Sequence, residues 1–155
     1  MHKHRVVHVL PYTPEQLFEL VGDVRRYPEF VPWISHLRVD GEKVEAEGVT
    51  VLDAEVSVGF AFLTERFATR VRRDANTRTI TVSLLRGPFK RLSNVWKFEP
   101  DPTGSKLVFE IDFEFKSRLL EALLKANFDR AVDKIISCFE ARAEALYGGA
   151  KVAVA

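Results

Sequence analysis

From about residue 35 to 115 the chain alternates apolar and polar side chains, and from 117 to 147 its apolar positions fall three and four apart instead. The first pattern is that of β-strands and the second that of an amphipathic helix. Strands are predicted near 35–45, 48–60, 62–73, 78–86, 92–99 and 106–115, with another over Lys3–Leu10. Between them fall breaks at Asp40-Gly41, Gly59, Asp74-Ala75-Asn76, Gly87-Pro88 and Asp101-Pro102-Thr103-Gly104, all residues that favour turns. The last strand is the clearest: Leu107, Phe109, Ile111, Phe113 and Phe115 share one face, and Glu110, Asp112 and Glu114 the other. Clean alternation over that length means an antiparallel sheet with one dry face and one wet face.

Two segments precede the sheet. Thr13-Pro14-Glu15-Gln16 starts a helix, with Thr13 as N-cap, Pro14 in the first helical position and Gln16 closing a capping box. Leu17, Phe18, Leu20 and Val21 give it an apolar face, and Gly22 ends it. Tyr27-Pro-Glu-Phe-Val-Pro-Trp33 then puts three aromatic rings and two prolines into seven residues. Proline interrupts both helix and central strand, so this stretch is at most one helical turn, expected to hold apolar side chains near a surface. An apolar loop of that kind marks a mouth, a lid or a partner surface.

After the sheet, Ser117 caps a long helix predicted to end near Tyr147, roughly 45 Å at 1.5 Å per residue. Its stripe is Leu120, Leu124, Phe128, Ala131, Ile135, Phe139 and Leu146, widened by Leu123, Val132 and Ile136. A single domain over 1–148 is expected, with a flexible tail over 149–155. The fold class is α+β: a curved antiparallel sheet of about seven strands against one long helix. Strands of ten residues are ~33 Å long and a helix only ~10 Å wide, so one helix cannot fill the trough. The remainder must be closed by the early helices or left as an apolar pocket.

Composition narrows the class. The 155 residues are 46% hydrophobic and 29% charged, which fits one globular domain. A net charge of +1 gives no strong uniform field, and no DNA partner is expected. The single cysteine, Cys138, excludes an internal disulfide and fits a reducing compartment. The longest uncharged apolar run, Val56–Thr64, is far short of the ~20 residues that span a bilayer. Membrane contact is therefore expected to be peripheral.

Several segments together resemble the coenzyme Q-binding branch of the START, or polyketide-cyclase-like, superfamily, a branch that includes bacterial ribosome-association toxins. They are YPEFVPW at 27–33, FATRV at 67–71, FKRLSNVWKF at 89–98, FEIDFEFKSRLL at 109–120 and FDRAVDKIISCFEARA at 128–143. The resemblance implies a helix-grip fold and an isoprenoid quinone or similar lipid in the tunnel between sheet and helix. It implies no catalytic set, hence a non-enzymatic carrier or chaperone, with no cofactor required. It carries over Phe30, Val31 and Trp33 near the mouth, Phe89, Leu92 and Trp96 on the neighbouring strand and loop, and Phe128 on the helix. Without the N-terminal extension of mitochondrial members, a bacterial cytoplasmic protein is expected, with peripheral contact on the inner membrane.

Parity adds candidates of its own. Asn94 and Trp96 share the inner face, and an amide and an indole N–H are suitable donors to quinone carbonyls. The competing reading makes Trp96 core and bonds Asn94 to backbone. Thr69 and Asn127 are weaker candidates, and Phe60, Phe67, Phe113, Leu124, Ala131 and Ile135 complete the expected lining. His2, His4 and His8 share one side of the first strand, but His4 and His8 would lie ~13 Å apart, too far to share a metal. A surface role is expected for them, as for His36, and a packing role for Cys138. The paired carboxylates Asp53/Glu55 and Glu110/Asp112/Glu114 are read as a charge ladder with Arg66, Arg70 and Arg72.

Charge is uneven. Residues 64–97 hold nine Lys/Arg against two Asp/Glu, a local +7, and residues 40–58 hold six acids against one lysine, a local −5. Arg86, Lys90 and Arg91 around Gly87-Pro88-Phe89 are candidates for contact with anionic lipid or ribosomal RNA. Three functions are therefore expected in order: quinone carrier, ribosome-associated regulator, and cyclase or aromatase, the last with only Glu65 as an inner-face acid.

Overall fold

The computed structural model describes residues 2–60, 63–125 and 128–154. Seven strands make one antiparallel sheet: β1 His2–Leu10, β2 Ile34–Ala46, β3 Val49–Phe60, β4 Leu63–Asp74, β5 Thr79–Arg86, β6 Phe89–Asp101 and β7 Gly104–Phe115. Their spatial order is β1-β7-β6-β5-β4-β3-β2, so β2 to β7 form a meander and β1 closes beside β7. With its helices on the inner face, this is the expected α+β helix-grip architecture.

Two expected breaks fall inside or against strands. Asp40-Gly41 is a bulge in β2, where the register slips between Asp40 and Lys43 and Gly41 takes φ 60°. β6 begins at Phe89 rather than near 92, so Phe89 and Arg91 leave the expected loop and join the ladder opposite Phe115 and Glu114. The turn before them depends on Gly87, at φ 150°, where an added Cβ would come within 2.5 Å of the Phe67 Cβ. Only glycine lets the backbone approach that ring so closely.

The first helix, α1 (Pro14–Gly22), begins as its capping box dictates. Thr13 Oγ1 accepts from Gln16 N at 3.1 Å, and Gln16 Oε1 accepts from Thr13 N at 3.0 Å. A 3₁₀ turn over Val24–Arg26 leads into the one-turn helix α2 (Tyr27–Phe30). The Tyr27 hydroxyl donates to Val21 O, tying α2 back to α1, and burial pushes the Tyr27 phenol well above its ordinary pKa.

The predicted long C-terminal helix falls on α3 (Arg118–Lys125) and α4 (Phe128–Val154), and residues 126–127 between them lie outside the described residues. Ser117 caps α3, its Oγ accepting from Leu120 N at 3.3 Å. The predicted end near Tyr147 is corrected: α4 continues through Gly148-Gly149 to Val154. Glycine disfavours a helix by only about 1 kcal/mol, and the turn before it is anchored. Tyr12 OH donates to Glu144 Oε2 at 2.8 Å and Tyr147 OH to Gln16 O at 3.2 Å.

The main core lies where α1 and α4 meet the sheet. Leu17, Val21, Ile80, Trp96, Phe98, Leu107 and Phe109 are buried there with Val132, Ile136, Phe139 and Ala143. A separate cluster of Phe113, Phe115 and Leu120 sits under α3, flanked by Phe89, Leu92 and Ile111.

Candidate functional site

Directly opposed residues in an antiparallel ladder share a face. Following the register across the sheet, one inner row reads Leu52, Val71, Val82, Asn94, Ile111 and His4. A neighbouring row brings together Ala54, Thr69 and Leu84, and Leu92 lies opposite Phe113. Phe67, Thr69, Asn94, Trp96, Leu92 and Phe113 therefore gather on one face, as parity predicts. Val82 and Leu84 belong to the same face but escaped notice, although their two-residue spacing from Ile80 was a sufficient signal.

The trough is unevenly filled. Trp96 is only 5% exposed and packs on Phe109, Phe98 and Phe139 at ring-centroid distances of 4.3, 6.5 and 5.1 Å. It is a core residue packed on three sides, as the competing reading has it. Two residues away along β6, Leu92 and Asn94 are half-buried, as are Phe67, Val82, Leu84 and Ile111. Asn94 Oδ1 is shielded from solvent, yet no hydrogen-bond donor reaches it. Its expected backbone partner is therefore not found. Thr69 is buried at 4%. Phe89 joins this end, its ring 5.4 Å from Phe67 and stacked 4.6 Å from Phe115. Ala131 and Ile135 of α4 are half-buried, while the side chains of Phe60, Leu124 and Phe128, and Asn127 as a whole, lie outside the described residues.

The aromatic segment before β2 is not an exposed lip. Val31 is buried, and Tyr27, Phe30 and Trp33 are half-buried. Phe30 and Tyr27 each meet Phe139 edge-on at 5.2 Å. Arg142 stacks over Phe30 at 5.1 Å, and Lys134 Nζ lies 5.7 Å from the Trp33 ring centre. Cation–π contact and apolar packing thus fold these rings down onto α4. His4 and His8 also face α4, with Nδ1 3.4 Å from Asp129 and 2.8 Å from Glu140, so the edge strand meets the helix through them rather than through solvent.

Two depressions open beside α1. One, of about 420 Å³, is lined by Phe18, Glu19, Gly22, Asp23, Gly48, Thr50, Arg73 and Ala75. Arg73 donates there to Thr50 Oγ1 at 3.0 Å and Gly22 O at 2.9 Å. Its parity with Thr69 and Val71 pointed inward all along. The other, of about 140 Å³, lies between α1 and α4 beside Phe30 and Arg142.

On the outer face a charge ladder forms, but of the expected pairs only Arg70 with Asp53 is found among the described residues, while Glu55, Asp112 and Glu114 take other cations. Arg70 Nε meets Asp53 Oδ1 at 2.9 Å, holding that carboxyl below its usual range, and Arg72 meets Glu45 at 3.1 Å. Arg86 pairs with Glu55 at 2.8 Å, Arg91 with Asp112 at 2.9 Å and Lys90 with Glu114 at 3.6 Å. The three cations singled out for lipid or RNA contact are thus each matched by an acid, Lys90 and Arg91 by one on the neighbouring β7 and Arg86 by one across β4 on β3.

Residues 10–140 match the family described as polyketide cyclase/dehydrase and lipid transport. The chain belongs to that family. Within it, the chain is 34% identical over 139 residues to a ribosome association toxin RatA of Rickettsia prowazekii, covering 88% of this chain and 92% of the relative. It is also 34% identical over 151 residues to a mitochondrial coenzyme Q-binding protein COQ10 homolog B of Xenopus laevis, covering 95% of this chain and 60% of the relative. The solution structure of an 18 kDa protein from Caulobacter crescentus is 59% identical, covers 96% of this chain and 99% of its own, and superposes at a TM-score of 0.81. As a member of the polyketide cyclase/lipid transport family, the chain has the sheet-and-helix trough just described. Among its described residues, no helix is long and apolar enough to cross a membrane.

Proposed function

We propose that the chain is a non-enzymatic binder of an isoprenoid quinone or a similar apolar lipid, acting as carrier or chaperone for respiration or quinone biosynthesis. The lipid lies in the half of the trough bounded by Leu92, Asn94, Phe67, Phe89, Thr69 and Phe113, with its tail along α4. The observation that carries this reading is the shielded, unpartnered Asn94 Oδ1 set among half-buried apolar side chains. A buried polar atom without a partner destabilises a protein unless something else meets it. The coenzyme Q-binding relative supports the same reading. Purification without detergent, followed by lipid extraction and mass spectrometry, tests it. Protein that carries no lipid and takes up no quinone analogue ends the proposal. Leu92→Asp, checked for folding by circular dichroism, is expected to abolish uptake.

A second reading is association with the ribosome, favoured by the RatA-named relative. Arg86, Lys90 and Arg91 are poor vehicles for it, because each already faces a carboxylate. Sucrose-gradient sedimentation with purified subunits at low and high salt tests it, since phosphate contacts weaken steeply with salt. Absence of cosedimentation at low salt removes this reading.

A further inference from the structure

Within the lipid-binding reading, on which this inference rests, we infer that the open half of the trough selects a head group bearing a hydroxyl donor: the hydroquinone rather than the quinone. The deciding atom is Asn94 Oδ1. A carbonyl oxygen only accepts hydrogen bonds. Its neighbours across the ladder are Val82 and Ile111, and along the strand on the same face they are Leu92 and Trp96. Three of these four side chains are aliphatic, and the Trp96 indole packs tilted against Phe109 at 4.3 Å without donating to the amide. The next residues in the row are Val71 and His4, one strand further out on each side, with His4 turned to Asp129.

An acceptor in such surroundings discriminates by what faces it. A quinone carbonyl brought to Oδ1 sets two acceptors head to head, each stripped of water. A phenolic hydroxyl at the same place donates and removes the defect. Sites built on a buried polar group reject ligands that leave the group unpaired. Turning the amide about its side-chain axis would present N–H instead and reverse the preference, so the sign of the selectivity is itself the observable.

Calorimetric titration with a short-chain isoprenoid hydroquinone, kept reduced under anaerobic conditions, and with its matching quinone tests the inference. The hydroquinone is expected to bind about tenfold more tightly, equivalent to about 1.4 kcal/mol. Reciprocally, the midpoint potential of the bound two-electron couple is expected to rise by about 30 mV. Asn94→Leu should bind both forms with a ratio near unity, whereas Asn94→Asp keeps an acceptor and keeps the preference. Equal affinities in the wild type, a tighter quinone, or a preference that survives in Asn94→Leu overturns the inference and leaves the lipid-binding reading standing. Failure of the wild type to bind either form overturns this inference, and if the detergent-free protein also carries no lipid the lipid-binding reading falls with it.

Discussion

The two halves of the trough share strands, parity and one gripping helix, yet they are packed differently. In the closed half Ile80, Trp96, Phe98, Leu107 and Phe109 are each at most 5% exposed and belong to one core cluster with residues of α1 and α4. One repeat further along the same strands, Val82, Leu92, Asn94 and Ile111 remain half-buried. The coverage differs: α1 packs on the first half, with Phe18 edge-on to Phe98, whereas Leu92 and Ile111 of the other flank the small cluster under α3. A sheet wider than one helix is thereby divided into a tightly packed part and a more loosely packed part, and it is the second that the proposed reading assigns to a guest.

The sharpest way to break this contrast is to truncate one residue in each half. Phe98→Ala empties a site that is 1% exposed, and a loss of about 3–5 kcal/mol is expected in urea denaturation. Leu92→Ala removes a half-buried side chain and should lower stability by about 1 kcal/mol while weakening lipid uptake. Equal losses at both positions would show that the halves are packed alike.

Asn94 sharpens the contrast from the other side. Replacing an unpartnered buried amide with an apolar side chain of similar size removes the desolvation penalty. Ligand-free Asn94→Leu is therefore expected to be more stable than the wild type by about 1–3 kcal/mol. A destabilised Asn94→Leu would mean that the amide is already satisfied, and the open half would lose its main mark.

Period-two alternation fixed the strand count and the inner face, because side-chain parity survives any tertiary detail. The capping box fixed the start of α1, because its two hydrogen bonds are local. Parity could not decide depth. Trp96 and Asn94 look equivalent along β6, and only tertiary packing, with Phe139 of α4 set against the indole, buries one and leaves the other partly open. For the same reason the rings of Tyr27–Trp33 read as a surface lip, when their fate depends on Phe139, Lys134 and Arg142 more than a hundred residues away. Charge followed a similar course: Arg70, Arg86 and Arg91 of the basic run at 64–97 meet acids brought alongside by strand order.

The cover of the closed half has a smaller lever. Thr13→Ala removes the side-chain half of the capping box, and a loss of about 1 kcal/mol is expected by thermal denaturation. Because α1 packs on that half, quinone uptake should hardly change. A large fall in uptake would mean that α1 also shapes the open half.

The smallest expected effect belongs to the outer face, which neither half buries. Asp53 beside Arg70 and Glu55 beside Arg86 both have pKa values lowered in the fold, chiefly by the arginine hydrogen bond. A carboxyl with a depressed folded pKa contributes stability that is fully present above its unfolded value and is lost as pH falls through the folded one. Denaturation midpoints should therefore be flat near neutrality and decline as pH drops below the ordinary carboxylate value of 4.5 for glutamate. The pairs are solvent-exposed, so the decline should be shallow and shallower still in high salt. Asp53→Asn should flatten it further while leaving the difference between Phe98→Ala and Leu92→Ala untouched. If that difference shifted with the outer charges, the two faces would be coupled through the sheet, and the division between halves could not be assigned to inner-face packing alone.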